Sequence, residues 1–191
     1  HIEQSTFKVG RWCGVSLYDE GSIPSFAPIF YRYITMNHQH TKFYIGIDPG
    51  ANGGITVIDL DGNVQDITKM PPTAHDIYQY LSRFSDNSKC VLEDVGKGMP
   101  GQSSKATATF ARHNGHLEMA LIALGIYTEK VTPQKWIKEY QITKRKEMSK
   151  SGWKNILKAK AQQLFPSLGP KITLSTCDAL LIAEYGRRKQ L

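Results

Sequence analysis

Cysteine is scarce in this chain and carries no pattern: Cys13, Cys90 and Cys177 are odd in number, far apart and never in a CxxC spacing. That excludes a disulfide framework and a zinc knuckle, and predicts buried thiols in a reducing compartment. Long apolar runs are missing too. No stretch approaches the roughly 18 consecutive apolar residues of a membrane helix, and no charged start followed by an apolar segment marks a secretory leader. The expectation is a soluble, cytoplasmic protein. Neither GxxxxGK[ST] nor GxGxxG occurs, so no P-loop or Rossmann nucleotide site is indicated and no nucleotide cofactor is expected. Acids are in the minority, 17 Asp and Glu against 24 Lys and Arg, for a formal charge of +7. Such an excess favours a polyanionic partner and says nothing of the fold.

The basic residues are concentrated. Between Lys130 and Lys160 stand ten Lys or Arg against Glu139 and Glu147 alone, with Trp136 and Trp153 interleaved. A charge run by itself reads as a solvated helix face; the tryptophans turn the reading toward a phosphate-binding surface. At the other end, residues 1–35 show neither helical nor strand periodicity, contain Pro24 and Pro28, and balance three acids with three bases. Met36 lies just before the first convincing strand, so the expected division is an N-terminal extension over 1–35 and a catalytic domain over 36–191.

From Phe43 the pattern becomes regular. FYIGID, GITVIDL and NVQDITKM read as three strands joined through Gly53-Gly54 and the Asp61-Gly62 turn, an antiparallel meander. Ile77, Tyr80 and Leu81 recur at helical spacing over 74–83, and KCVLEDV is a short apolar strand that ends in acids. Strand, helix, strand predicts a crossover to a parallel neighbour. Residues 103–124 place Ala106, Phe110, His113, Leu117, Leu121 and Leu124 on one helical face, from a Ser start to the Gly125 stop. IYTEKVT is a further strand, Pro133 opens a short helix, a helix over about 150–165 stops before Pro166, and Ser175 or Thr176 can cap a last helix with Ala179, Leu180, Ile182 and Ala183 on its apolar face.

Three acids now hold comparable places. Asp48 closes the first strand, Glu93 closes the fourth, and Asp178 lies in the first turn of the last helix. Each has a structural explanation: Asp48 starts a turn with Pro49 and Gly50, Glu93 pairs with some base, and Asp178 answers the helix dipole. The order of elements nevertheless makes strands one and four neighbours, so their ends converge. Clustered carboxylates repel one another unless cations neutralise them. Mg²⁺ prefers such hard oxygen ligands, and two ions about 3.5 to 4 Å apart activate water and stabilise the leaving oxygen in phosphodiester hydrolysis. His113 and His116, like His38 and His40, lack a third ligand at metal spacing and read as structural or surface residues.

IGIDPGANGG, VLEDVG and STCDALLIAEYGRR, in this order and spacing, resemble the RuvC family of Holliday junction resolvases, particularly the compact phage and prophage versions, from about residue 43 to the C-terminus. The resemblance implies an α/β, RNase H-like fold: a five-stranded mixed sheet, an antiparallel meander followed by parallel strands, flanked by helices. It implies a homodimer that binds branched DNA, in particular four-way junctions, and a crossover junction endonuclease that uses Mg²⁺ or Mn²⁺, two ions per site. By position Asp48, Glu93 and Asp178 match the family's catalytic metal ligands. Where the family carries a further Asp or His one turn before the last acid, this chain has Ser175, with Asp94 as an alternative ligand. Gly96 stands where some members have an aromatic wedge, which leaves Met99 in GKGMPGQ for that role. Lys138 and Lys150 fall near positions where the family uses lysines on DNA, and the expected DNA-gripping set extends to Lys97, Lys105, Lys144, Arg145, Lys146 and Lys154. The helix over 103–124 offers the dimer surface. Two other readings compete: a junction-binding protein with little nuclease activity, motivated by Ser175, and an actin-like ATPase, whose strands also begin GIDxG. The region after Met36 is too short for the paired domains of the latter and lacks the second phosphate loop.

Overall fold

A computed structural model describes residues 41–96, 103–143 and 147–191. The proposed boundary at residues 35 and 36, the Met99 loop, and Lys97, Lys144, Arg145 and Lys146 lie outside the described residues. The strands are β1 (Phe43–Asp48), β2 (Gly54–Asp59), β3 (Val64–Lys69), β4 (Ser88–Glu93) and β5 (Tyr127–Val131). The α-helices are α1 (Ala74–Ser82), α2 (Ser104–Ala123), α3 (Pro133–Glu139), α4 (Lys150–Leu164) and α5 (Cys177–Lys189), with a short 3₁₀ segment over Pro166–Lys171.

The strands form one sheet in the order β3-β2-β1-β4-β5. β1 pairs antiparallel with β2 and parallel with β4, β2 pairs antiparallel with β3, and β4 pairs parallel with β5. The expected mixed sheet, meander first and parallel strands after, is the observed one. Local chemistry starts the helices where the sequence predicts. Thr73 accepts the Asp76 amide at 3.1 Å and donates to its carboxylate at 2.7 Å, a reciprocal cap, while Ser103 and Ser149 cap α2 and α4 through their hydroxyls. α5 departs from expectation. Thr176 stands at its N-cap but makes no capping bond, because its hydroxyl accepts the Thr173 amide at 2.9 Å instead.

Period-two alternation divides the core between the two faces of the sheet. Ile45, Ile47, Ile55, Val57, Cys90 and Leu92 pack on one face against Ile77, Leu81, Leu117 and Leu121 of α1 and α2. Tyr44, Ile58 and Val91 pack on the other against α3, α4 and α5. α5 lies directly on β1 and is covered in turn by α4. Every residue from Cys177 to Gly186 is buried, the acids Asp178 and Glu184 included, so the helix has no solvent-exposed face along that stretch; the four-residue apolar stripe expected from spacing is too narrow for a helix sandwiched between a sheet and another helix.

Gly46 explains how α5 comes so close. A Cβ at Gly46 would stand 2.2 Å from the Ala179 carbonyl oxygen and 2.2 Å from the Ala183 amide nitrogen, both backbone atoms that no rotamer change can move. Glycine on the strand and alanine on the helix let the two backbones touch. Gly46→Ala is expected to destabilise the fold by at least about 3 kcal/mol, measured by urea unfolding, because helix and sheet must separate to admit the methyl.

Candidate active site

The alternation that builds the core also aims the acids. Tyr44 faces α5, so Gly46 and Asp48, two and four residues on, face it as well; Val91 faces α5, and Glu93 follows it by two. β1 and β4 run parallel with Ile47 opposite Leu92, so Asp48 and Glu93 are the next residues on each strand and emerge side by side. Asp178, in the first turn of α5, completes the group. The turn beyond Asp48 is closed by Gly53, where a Cβ would meet the Asp48 carbonyl oxygen at 2.0 Å. Only glycine permits that return into β2.

All three acids are buried, with 8%, 7% and 6% of Asp48, Glu93 and Asp178 exposed. Their partners differ. Trp136, buried on α3, donates its indole Nε1–H to Glu93 Oε1 at 2.9 Å. The Lys154 ammonium, reaching in from α4, lies 3.4 Å from Asp48 Oδ2 and donates a close hydrogen bond to Asp178 Oδ2. The Cys177 thiol contacts Asp178 Oδ1 at 3.2 Å. Burial pushes the Asp48 carboxyl up to about 6; the Lys154 charge opposes this and the Asp178 charge adds to it. Burial, then the neighbouring Asp48 charge, drive Glu93 up to about 8, against the pull of the Trp136 donor. Burial alone would lower the Lys154 ammonium, but the charges of Asp48 and Asp178 overcome it and hold the group above its ordinary value.

The magnitudes explain why one lysine is not enough. An ion pair at about 4 Å gains roughly 4 kcal/mol at an effective dielectric of about 20, while burying each ion costs several kcal/mol. Lys154 contacts Asp48 and Asp178; Glu93 receives the neutral Trp136 indole and shares a side-chain hydrogen bond with Asp48, and burial holds its carboxyl up at about 8. The fourth buried acid among the described residues shows the contrast. Glu184 accepts from Arg187 at 2.8 and 2.9 Å and from Arg188 at 2.7 Å, and despite its burial these guanidinium groups hold it below the usual carboxylate range. Glu184 is a satisfied structural anchor. The trio at the strand ends is left short of cations.

That shortage is the test of fit for a divalent ion. The donor set is entirely carboxylate oxygen, as a hard cation requires, and a cation in the form of the Lys154 ammonium already bridges Asp48 and Asp178. Among the described residues no three His, Cys, Asp or Glu side chains form a ready-made cage. What fits a hard cation is the chemistry of the donors, carboxylate oxygens short of positive charge, and such an ion would draw Glu93 into its ionised form.

Solved structures of similar fold include two of RuvC. Thermus thermophilus RuvC matches with a TM-score of 0.50 and 17% identity over 78% of this chain and 96% of that one. T. thermophilus RuvC in complex with Holliday junction substrate matches with a TM-score of 0.54 and 14% identity over 77% of this chain and 96% of that one. The fold is that of RuvC. No protein-family model matches the chain, and no curated protein sequence does.

Within this RuvC fold the remaining expected site residues fall in several places. Lys105, Lys138 and Lys150 are exposed and, among the described residues, take part in no ion pair, unlike Lys130, Lys135 and Lys189, which pair with Glu118, Glu129 and Glu139. Lys150 lies one turn before Lys154 on the same face of α4. Lys154 itself does not point outward with the other basic residues but into the cluster. Asp94 is exposed and accepts the Gly96 amide at 3.1 Å, outside the trio. The tryptophans need correction: Trp136 is 1% exposed and Trp153 packs partly buried against the core, so neither offers an open stacking face among the lysines. The signal that identifies Trp136 as a core residue was present in its four-residue spacing to buried Tyr140, with which it makes an edge contact. For Lys154 no such signal exists. Trp136→Phe, which keeps the aromatic body and removes the donor, is expected to cost about 2 kcal/mol in urea unfolding at a pH where Glu93 is ionised.

Proposed function

We propose that the chain is a divalent-metal-dependent endonuclease that nicks four-way junctions and related branched DNA. The observation that carries this reading is the buried trio Asp48, Glu93 and Asp178, brought from β1, β4 and α5 to one place with too little positive charge to neutralise it. The RuvC fold and a structural neighbour solved in complex with Holliday junction substrate support the choice of substrate. Asp48, Glu93 and Asp178 would hold Mg²⁺ or Mn²⁺, which when bound supplies activation of the attacking water and stabilisation of the leaving oxygen.

The chain's own residues do the rest. β1 and β4 fix two carboxylates on a rigid sheet, Trp136 orients Glu93, and the packed face of α5 keeps bulk water from the cluster. Exposed Lys105, Lys138 and Lys150 meet backbone phosphates, a contact that positions the duplex without reading its sequence. A homodimer suits two symmetric nicks, and α2 offers Met119 and Ile122, 60% and 67% exposed, as its surface. The test is a synthetic four-way junction incubated with the native protein and Mg²⁺ or Mn²⁺: paired nicks that disappear with EDTA support the reading, and tight binding with no nicks in either metal replaces it with a junction-binding protein. That second reading is favoured by one feature, the Lys154 ammonium between two of the acids.

A further inference from the structure

We infer that Lys154 takes the place of a second cation, so that the carboxylate site binds a single divalent ion. The inference rests on the metal-dependent nuclease reading above and specifies how its charge is balanced. Lys154 reaches Asp48 Oδ2 at 3.4 Å and hydrogen-bonds Asp178 Oδ2, so one ammonium spans the acid of the central strand and the acid of the last helix. Glu93 is not in contact with the Lys154 ammonium: its Oε1 accepts the Trp136 indole, and its carboxyl hydrogen-bonds Asp48. With Glu93 drawn into its ionised form by a bound cation, three carboxylates and one ammonium leave two negative charges, which one divalent ion neutralises.

The sequence around Asp178 agrees. One turn earlier the chain has Ser175, a neutral residue whose amide donates to the Thr173 hydroxyl at 3.3 Å and whose carbonyl closes against Gly54. No anionic group is added on that side, so a second ion would have to share Asp48 and Asp178 with an ammonium already in contact with both. The lysine is held there by its element: α4 begins at Ser149, whose hydroxyl caps the Gly152 amide at 3.1 Å, and Lys154 follows in the next turn over α5. Fixed positive charge on the Asp48 and Asp178 Oδ2 atoms leaves their other oxygens and Glu93 for one ion.

The experiment is a count. Full-length native protein, stripped of metal, is titrated with Mn²⁺ and the bound ions are counted by electron paramagnetic resonance. One ion per chain is expected. Lys154→Gln, which removes the competing charge, is expected to bind Mn²⁺ at least about tenfold more tightly, while Lys154→Arg, which keeps it, stays within about threefold of native. Two ions per chain in the native protein overturn the inference and leave the nuclease reading standing; no bound ion overturns both. A Lys154→Gln affinity within about twofold of native also overturns it.

Discussion

Asp48→Asn and Glu93→Gln are each expected to lower Mg²⁺-dependent cutting of a four-way junction at least about a thousandfold while junction affinity stays within about threefold of native. The substitutions keep side-chain shape and remove one charge. At the end of β1 the Asp48 carboxylate is fixed by the tight Gly53 turn and by the neighbouring strand β4, so no nearby acid can swing in to replace it. Asp94, the next acid in sequence to Glu93, is exposed and engaged with the Gly96 amide. Binding is expected to survive because it draws on phosphate contacts from lysines outside the cluster, an electrostatic contribution that a buried carboxylate does not supply. Single-turnover cleavage and a gel-shift titration measure the two quantities. Undiminished cutting by either variant would refute the assignment of that acid.

The second large effect is on stability in the absence of metal. Asp48 rises from 3.8 to about 6 and Glu93 from 4.5 to about 8 on folding, so both bind their protons more tightly in the folded chain than in the unfolded one. A group shifted upward contributes stability that is complete below its unfolded value and is lost as pH rises through its folded value. In EDTA the loss therefore runs from about pH 4 through about 6 for Asp48 and on to about 8 for Glu93. The Asp48 shift alone is worth about 3 kcal/mol, and Glu93 more. Lys154 does not cancel the slope, because it stays charged across the whole window. Mg²⁺ held by these acids, as proposed, would act in the opposite sense by stabilising their ionised forms, so its effect on the melting temperature is expected to be small at pH 5 and large at pH 8. Thermal melts with EDTA or Mg²⁺, for the native chain and for Asp48→Asn with Glu93→Gln combined, isolate these groups from the rest. A native melting curve that moves with pH no more than the double variant's would overturn the account.

Much of this site is legible from local pattern. The alternation Tyr44, Gly46, Asp48 and the matching step from Val91 to Glu93 place two carboxylates on one face as soon as both segments are read as strands, and a crossover connection between them makes the strands neighbours. The position of Asp178 in a first helical turn follows from the sequence around it. These are properties of short segments, with periods of two and 3.6 residues, and the chain states them directly.

What covers those segments is another matter. Nothing within four residues of Lys154 distinguishes it from Lys150 or Lys158, and only the packing of α4 across α5 turns its ammonium onto Asp48 and Asp178 rather than toward solvent. Trp136 became the donor to Glu93 by the same route, through the docking of α3 against the sheet end. The burial of α5 all round, too, exists because a sheet and a helix close on it from opposite sides. The sequence by itself determined the element order, the mixed sheet and the three acids, because each is set by neighbours along the chain. The tertiary structure alone decided which cation and which donor meet those acids, because that depends on contacts between separate elements far apart in the chain, 43 residues for Glu93 with Trp136 and 106 for Asp48 with Lys154.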